Sequence, residues 1–284
     1  MRDRFVVDYQ VLGACNLSCD FCDGAPKEFK GQPTKVVLEG IDKLAEAGVS
    51  TIVFTGGEPL LRKDMPALIH HAKRRGLDVY LSTNGLLLFR VYDAISTSLD
   101  CLGLPLDGSN VEMNVRMTRG PKQFPATENA LRYFKAYPPT HLVKVGTVVS
   151  RVNYDDVPNI GRFLFENPDI CHPDAWRLYE FTPVGDGLLS RKRHEISPEA
   201  FLDLVARVKA LFPSKSVSHL TNEASDQGYI FVNPLQEVDV YDSKGSERVG
   251  NLQFMSVDEV VALRSSFRKV VDRISENRSW LHEQ

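Results

Sequence analysis

Cys15-Asn16-Leu17-Ser18-Cys19-Asp20-Phe21-Cys22 sets three thiols at a CxxxCxxC spacing, directly after a β-rich run at 6–12. The chain has five cysteines, and the other two, Cys101 and Cys171, are isolated. Thiolates are the usual ligands of iron–sulfur clusters. Three of them can hold three irons of a cubane and leave the fourth open for a molecule that chelates it. The competing reading is a structural zinc knuckle. Zinc takes four tight ligands and commonly pairs one CxxC with a distant CxxC or His pair. No second CxxC exists here, and Asp20, Asp23 or a remote histidine would have to complete the site from unexpected spacings.

Downstream of this loop, strand-like and helix-like segments alternate. Residues 35–47 carry apolar side chains at helical spacing and are closed by Gly48. Residues 51–54 form an apolar strand ending in Thr55-Gly56-Gly57-Glu58-Pro59. A helix at 65–75 is closed by Gly76, and a strand at 77–81 ends in Ser82-Thr83-Asn84-Gly85. A strand at 101–106 runs into Asp107-Gly108. A helix at 126–137, a strand at 142–149, a helix at 157–166 and a strand at 176–181 come next. This alternation predicts a parallel sheet with crossover helices, an α/β partial (β/α)6 barrel over 1–186. In such folds sites gather at the carboxyl ends of strands, where these turns fall. Beyond about residue 186 the pattern changes to a basic loop at 190–194, a helix at 198–211, short strands within 228–249 and a helix at 257–274. The expectation for 187–284 is an α+β extension packed on the barrel as a cap.

Composition narrows the function classes. The 284 residues are 43% apolar and 25% charged, with a formal net charge of −3. Such a chain buries a core without staples, and its charge gives no reason to expect nucleic acid or an anionic membrane as partner. No apolar run is long enough to span a bilayer. Met1-Arg2-Asp3-Arg4 leads straight into the first strand without a signal-peptide core, so the cytoplasm is the expected compartment.

The cysteine loop resembles that of radical SAM enzymes, and the likeness continues in order along about 5–186. Gly56-Gly57-Glu58-Pro59 resembles the family's GGEP motif, Ser82-Thr83-Asn84-Gly85 its next strand-end motif, and Leu106-Asp107-Gly108 the end of its SLDG stretch. The resemblance implies one [4Fe–4S] cluster on Cys15, Cys19 and Cys22, with S-adenosylmethionine on the open iron. It further implies that Gly56, Gly57, Glu58 and Pro59 receive the ammonium end and that Phe21 lies near the adenine. Ser82 and Asn84 are placed near the ribose or methionine, although ordinary turn chemistry explains them equally well. Arg119, with Arg116 as second choice, is expected at the carboxylate. Pro105 stands where many relatives have serine. The extension carries no cysteine, so a second cluster is not expected.

For substrate the layout is similar to viperin-like and SPASM-type proteins. Lys27, Lys144 on the fifth strand and Arg177 on the sixth are candidate contacts for an anionic small molecule. Each reads equally as a surface or ion-paired residue. Tyr179 and Glu180 alternate in direction, so one faces the interior; Glu180 is taken as a site candidate, and Tyr9 as a lining one. Cys171 reads as structural, His70-His71 and the Arg191-Lys192-Arg193-His194 run as solvated faces. The leading expectation is hydrogen abstraction from a small, polar, anionic metabolite, nucleotide- or sugar-like, with electrons from a flavodoxin or ferredoxin. A peptide-modifying maturase and a non-catalytic iron–sulfur or zinc protein are the alternatives.

Overall fold

The computed structural model describes residues 5–22, 24, 27–222, 230–242 and 245–264. Its frame is a single open sheet of ten strands. The strands are β1 (Val6–Gln10), β2 (Thr51–Thr55), β3 (Asp78–Ser82), β4 (Cys101–Pro105), β5 (Leu142–Val149), β6 (Ala175–Glu180), β7 (Val217–Leu220), β8 (Ile230–Val232), β9 (Glu237–Asp242) and β10 (Gly245–Asn251). Strands β1 to β7 lie side by side in chain order and all are parallel. On the other flank β8 runs parallel to β1, and β9 and β10 continue antiparallel. Among the described residues the sheet is not closed: β10 and β7 are its two edges.

The helices are α1 (Thr34–Glu46), α2 (Met65–Arg74), α3 (Tyr92–Ile95), α4 (Val111–Arg116), α5 (Gln123–Ala136), α6 (Val157–Glu166), α7 (Asp186–Leu189), α8 (Arg191–His194) and α9 (Pro198–Leu211). Residues 257–264 are also helical, and the rest of the 257–274 expectation lies outside the described residues. Gly48 and Gly76 come after α1 and α2 with φ of 79° and 82°, the left-handed turn that a helix end favours. Helix α5 starts a turn earlier than its apolar spacing predicts because Gln123 is buried and donates to the Pro105 carbonyl at 3.0 Å. Helix α4, strand β7 and the helical form of 191–194 go beyond what apolar spacing predicts. Asn110 starts α4 by accepting from Met113 N at 3.0 Å.

Strand parity divides the sheet into two faces. One face carries Tyr9, Phe54, Leu81, Leu102 and Val143 in register across β1 to β5. These belong to the same buried core as Ile41 and Leu44 of α1, Leu68 of α2, Phe134 of α5, Leu164 of α6 and Phe201 of α9. The opposite face carries Ser82, Gly103 and Lys144 in one row, and Gly146, Arg177 and Ser218 in the next. The first face is the core and the second is the chamber.

Residues after 186 contribute at both flanks of this one sheet. Strand β7 adds to β6, and β8 to β1. Tyr9 is fully buried on the core face, where its hydroxyl donates to Gln236 Oε1 at 2.5 Å, so it does not line the chamber. His71 pairs with Asp42 of α1 at 2.7 Å, and His70 with Ser98 at 2.9 Å, as ties between neighbouring elements. Cys171 packs against the core, and burial pushes its thiol up to about 11.

One tight seam lies where α6 crosses β6 and the end of α9. A Cβ at Gly161 would stand 2.3 Å from the Phe212 ring and 2.9 Å from that of Trp176. Both rings are buried and neither has room to retreat. Gly161→Ala is therefore expected to destabilise the chain by about 1–3 kcal/mol, the usual range for overpacking. Guanidinium unfolding followed by tryptophan fluorescence reads this directly, and an unmoved midpoint would contradict the seam.

Candidate active site

The cysteine loop leaves β1 and is held down by the turn that ends β2. Val11 N donates to Thr55 O at 3.0 Å, Gly57 N to Leu12 O at 2.7 Å and Glu58 N to Ala14 O at 3.0 Å. Both glycines are sterically required. Gly56 has φ of 138°, and a Cβ there would lie 2.2 Å from Leu12 O. One at Gly57 would lie 2.1 Å from Gly13 O and 2.4 Å from Ala14 O. The double glycine thus lets two backbones touch, and the touching segment is the one that carries the thiols.

All three sulfurs receive N–H donors. Leu17 N lies 3.4 Å from Cys15 Sγ and Gly24 N 3.4 Å from Cys22 Sγ. Arg119 Nη1 is 3.8 Å from Cys19 Sγ, and Asn84 Nδ2 is 3.9 Å from Cys15 Sγ. Donors aimed at sulfur favour the thiolate, which fits cluster ligands. Burial pushes the Cys19 thiol up, while the Arg119 cation pulls it down. The zinc alternative gains no fourth ligand from Asp20, whose carboxylate is committed to Thr118, His194 and Arg193. Among the described residues no three His, Cys, Asp or Glu side chains are grouped to hold a single metal ion. Asp23 lies outside the described residues.

Glu58 is fully buried and both its oxygens are engaged. Oε1 accepts from Leu60 N at 3.0 Å and Thr83 Oγ1 at 2.7 Å; Oε2 accepts from Asn84 N at 2.8 Å. Its carboxylate braces the end of β2 against the end of β3. Pro59, at the first position of the short helix just after it, is buried beside it. Asn84 uses this support to donate to Asn16 Oδ1 at 2.7 Å, inside the cysteine loop. Ser82 ends β3 on the chamber face, with its hydroxyl beside Gly103.

Arg119 forms a buried ion pair with Asp107, which also accepts from Val148 N at 2.7 Å. The guanidinium lies over the Phe21 ring at 4.9 Å. Of the two arginine candidates, Arg119 is therefore beside the cysteines. Arg116 is exposed, and its carbonyl accepts from Arg193. Phe21 is buried in a small apolar group with Cys19, Met117 and Phe181.

The run 191–194, expected as a solvated loop, contributes a buried group instead. His194 is fully buried between the rings of Phe21 and Phe181, at 5.5 and 5.4 Å. Its Nε2 is 2.9 Å from Asp20 Oδ1 and its Nδ1 is 3.2 Å from Ser150 Oγ. Burial pushes the imidazole below its ordinary value against the pull of Asp20. A neutral ring that donates through Nε2 and accepts through Nδ1 satisfies both partners. Ser190 Oγ donates to Asp20 O at 2.5 Å, and Thr118 accepts from Asp20 N at 2.9 Å while donating to Oδ1 at 2.7 Å. Thr118 does this at φ of 57°, a costly conformation for a β-branched residue. Burial alone would raise the Asp20 carboxyl; hydrogen bonds from Thr118 and His194 hold it below the ordinary carboxylate range. No spacing marks His194 in the sequence, where it sits at the end of three cations.

Of the substrate candidates, Lys144 and Arg177 share the chamber face. Lys144 Nζ donates to the Tyr179 hydroxyl at 3.2 Å, and Arg177 Nε donates to Ser218 Oγ at 3.2 Å. Lys27 is partly exposed and pairs with Asp186 of α7 at 3.4 Å. Glu180 stands in register with Val149 on the core side and accepts from Asn222 N at 2.8 Å. The member of the Tyr179–Glu180 pair that faces the chamber is therefore Tyr179. Pro105, at the end of β4, offers its carbonyl to Gln123 and Thr127.

Two substitutions test how the loop is held. Gly57→Ala is expected to leave less than half the iron per chain after reconstitution, because its Cβ meets loop backbone rather than a movable side chain. His194→Ala is expected to speed iron loss to a chelator, with His194→Gln, which keeps a donor near Asp20, closer to wild type. Iron retention equal to wild type in both variants would remove the loop-docking argument.

Comparison with known proteins agrees with this geometry. The model of the Radical SAM superfamily matches residues 9–164. Over 243 residues the chain is 28% identical to an S-adenosylmethionine-dependent nucleotide dehydratase from Lacinutrix mariniflava, covering 80% of this chain and 48% of that protein. It is 38% identical over 217 residues to a GTP 3′,8-cyclase from Chlorobaculum tepidum, covering 72% and 64%. The chain thus spans between about half and two thirds of the length of these relatives. Among solved structures, anSMEcpe with bound AdoMet superposes with a TM-score of 0.69 at 16% identity, covering 94% of this chain and 83% of that one. Streptococcus suis SuiB bound to S-adenosylmethionine gives 0.63 at 12% identity, covering 83% and 59%. At these identities the likeness is one of fold. With the family match over more than half of its residues, the chain belongs to the radical SAM superfamily, whose cofactors are a [4Fe–4S] cluster and S-adenosylmethionine.

Proposed function

We propose that this chain cleaves S-adenosylmethionine reductively and takes a hydrogen atom from a small anionic metabolite of nucleotide-like chemistry. The observation that carries the substrate class is the pair of cations, Lys144 and Arg177, on the chamber face of β5 and β6. Two relatives named for nucleotide chemistry, the dehydratase and the GTP cyclase, support the same class.

When bound, the cluster and S-adenosylmethionine supply one-electron cleavage of the sulfonium and the 5′-deoxyadenosyl radical. The chain's own residues do the rest. Cys15, Cys19 and Cys22 would hold the cluster, and Gly56 and Gly57 fix the loop that carries them. Pro59 and Glu58 keep that turn rigid, so the strand-end backbone beside the loop is presented to the ammonium group. Phe21 and Arg119 form the wall next to Cys19 and Cys22, and Arg119, held by Asp107, is the cation beside the cysteines that would meet a carboxylate there. Ser82 and Asn84 line the end of β3. The apolar group around Phe21, Met117 and Phe181 excludes water on that side. Lys144 and Arg177 orient the substrate's anionic group, which places its target C–H by fixing the other end. The electron would come from a small donor such as a flavodoxin or ferredoxin.

The test is anaerobic. Reconstituted protein given dithionite and S-adenosylmethionine is expected to hold about four irons per chain and to form 5′-deoxyadenosine, with Cys22→Ala forming none. Lys144→Met and Arg177→Met are each expected to weaken nucleoside triphosphate binding by about tenfold to a hundredfold, the usual loss for a charge-assisted hydrogen bond. Metal without cleavage of S-adenosylmethionine under several reductants overturns the reaction, and unchanged nucleotide affinity in both variants overturns the substrate class.

A further inference from the structure

Tyr179 combines a place on the chamber face with a cation at its hydroxyl. It projects from β6 onto the chamber face, in register with Val148 and beyond Arg177 on the same strand. Its ring lies over Gly146, where a Cβ would stand 3.0 Å from Cε2, so a side chain on β5 at that point would push the ring away. The Lys144 ammonium sits 6.0 Å from the ring centre and donates to the hydroxyl oxygen at 3.2 Å. Because the oxygen already accepts from Lys144, its own O–H is directed away from that ammonium and is left to donate to another acceptor.

We propose that Tyr179 is the proton donor to the substrate in this chamber, with Lys144 and Arg177 holding the phenolate that remains. This rests on the function proposed above, because it assigns the acid for that same site. The phenol O–H bond breaks and a bond from that hydrogen to a substrate heteroatom forms; the heteroatom either departs with the electron pair of its bond to carbon, neutralised by the proton, or stays in place with its developing negative charge neutralised. The electron pair of the O–H bond stays on the phenolate oxygen. A solvent proton restores the phenol after product departs, so no oxidant or reductant is involved. The charged groups that act on the phenol are Lys144 of β5, Arg177 of β6 and Asp8 of β1. Burial pushes the phenol up and Asp8 adds to it, but the two cations outweigh both and leave it below the ordinary tyrosine range. By contrast Tyr92 is pushed up to about 12. A phenol brought closer to neutrality is a better general acid at ordinary pH.

The experiment has two arms, both on the full chain. In the first, the near-ultraviolet tyrosinate band of the cluster-free protein is followed against pH. One transition below the ordinary tyrosine range is expected; it should be missing in Tyr179→Phe, moved upward in Lys144→Met and unchanged in Tyr137→Phe, whose ring is exposed. If Tyr179→Phe leaves the curve unaltered in that range, the proposal falls. In the second, reconstituted enzyme is given S-adenosylmethionine, dithionite and each of the four common ribonucleoside triphosphates as probe. Product formed per 5′-deoxyadenosine released is expected to drop about a hundredfold in Tyr179→Phe, within the usual span for loss of a general acid. An unchanged ratio overturns the role. If no nucleotide yields product while the early phenol transition is present, the nucleotide class is what fails.

Discussion

The fold's chemistry depends on one steric allowance, the absence of side chains at Gly56 and Gly57. Those two positions let the end of β2 lie directly against residues 12–14, closer than any Cβ permits. The hydrogen bonds made across that contact are ordinary in length. What is unusual is where they act, because every thiol of the loop lies within ten residues of the docked backbone. Glu58 then transmits the same constraint to β3 by bonding Thr83 and Asn84, and Asn84 returns it to Asn16. A closed circuit of short contacts therefore surrounds the cysteine loop from the sheet side.

The opposite side of the loop is held by segments distant in sequence. Asp20 is the shared anchor: Thr118 reaches it from just beyond α4, Ser190 from the joint between α7 and α8, and Arg193 and His194 from α8. An aspartate directly after Cys19 thereby joins the cysteine loop to the segment beyond residue 186. The left-handed backbone at Thr118 shows that this joint is made at some conformational cost, which the rest of the packing outweighs.

Much of this is legible in the residues alone. Apolar alternation locates six strands, and in β5 and α6 it gives the observed bounds. The motifs fall at strand ends, as parallel sheets require. Other features are hidden for definite reasons. Tyr179 and Glu180 show that alternation tells which neighbours oppose each other but not which faces the core; that phase comes from the register with Val148 and Val149. His194 is hidden because burial of one imidazole at the end of a basic run depends on Phe21 and Phe181, neither near it in sequence. Glu58 is legible as a motif member, while its role as an internal brace depends on Thr83 and Asn84 across a crossover. Strand β7 is short, and what makes it a strand is the free edge of β6 rather than its own four residues.

The two flanks of the sheet carry a consequence for the order of events in synthesis. Strand β1 gains one neighbour, β2, after a single crossover, but its other neighbour is β8, which pairs Val7 with Ile230. Until that late segment leaves the ribosome, one backbone edge of the first strand has unsatisfied amides and carbonyls. Such an edge is a template for pairing with other chains. Non-local closure of this kind is also slow, because loop entropy is lost before the contact forms. The nascent chain thus passes a long interval in which the open edge of its first strand can pair with other chains, and conditions that slow translation lengthen that interval.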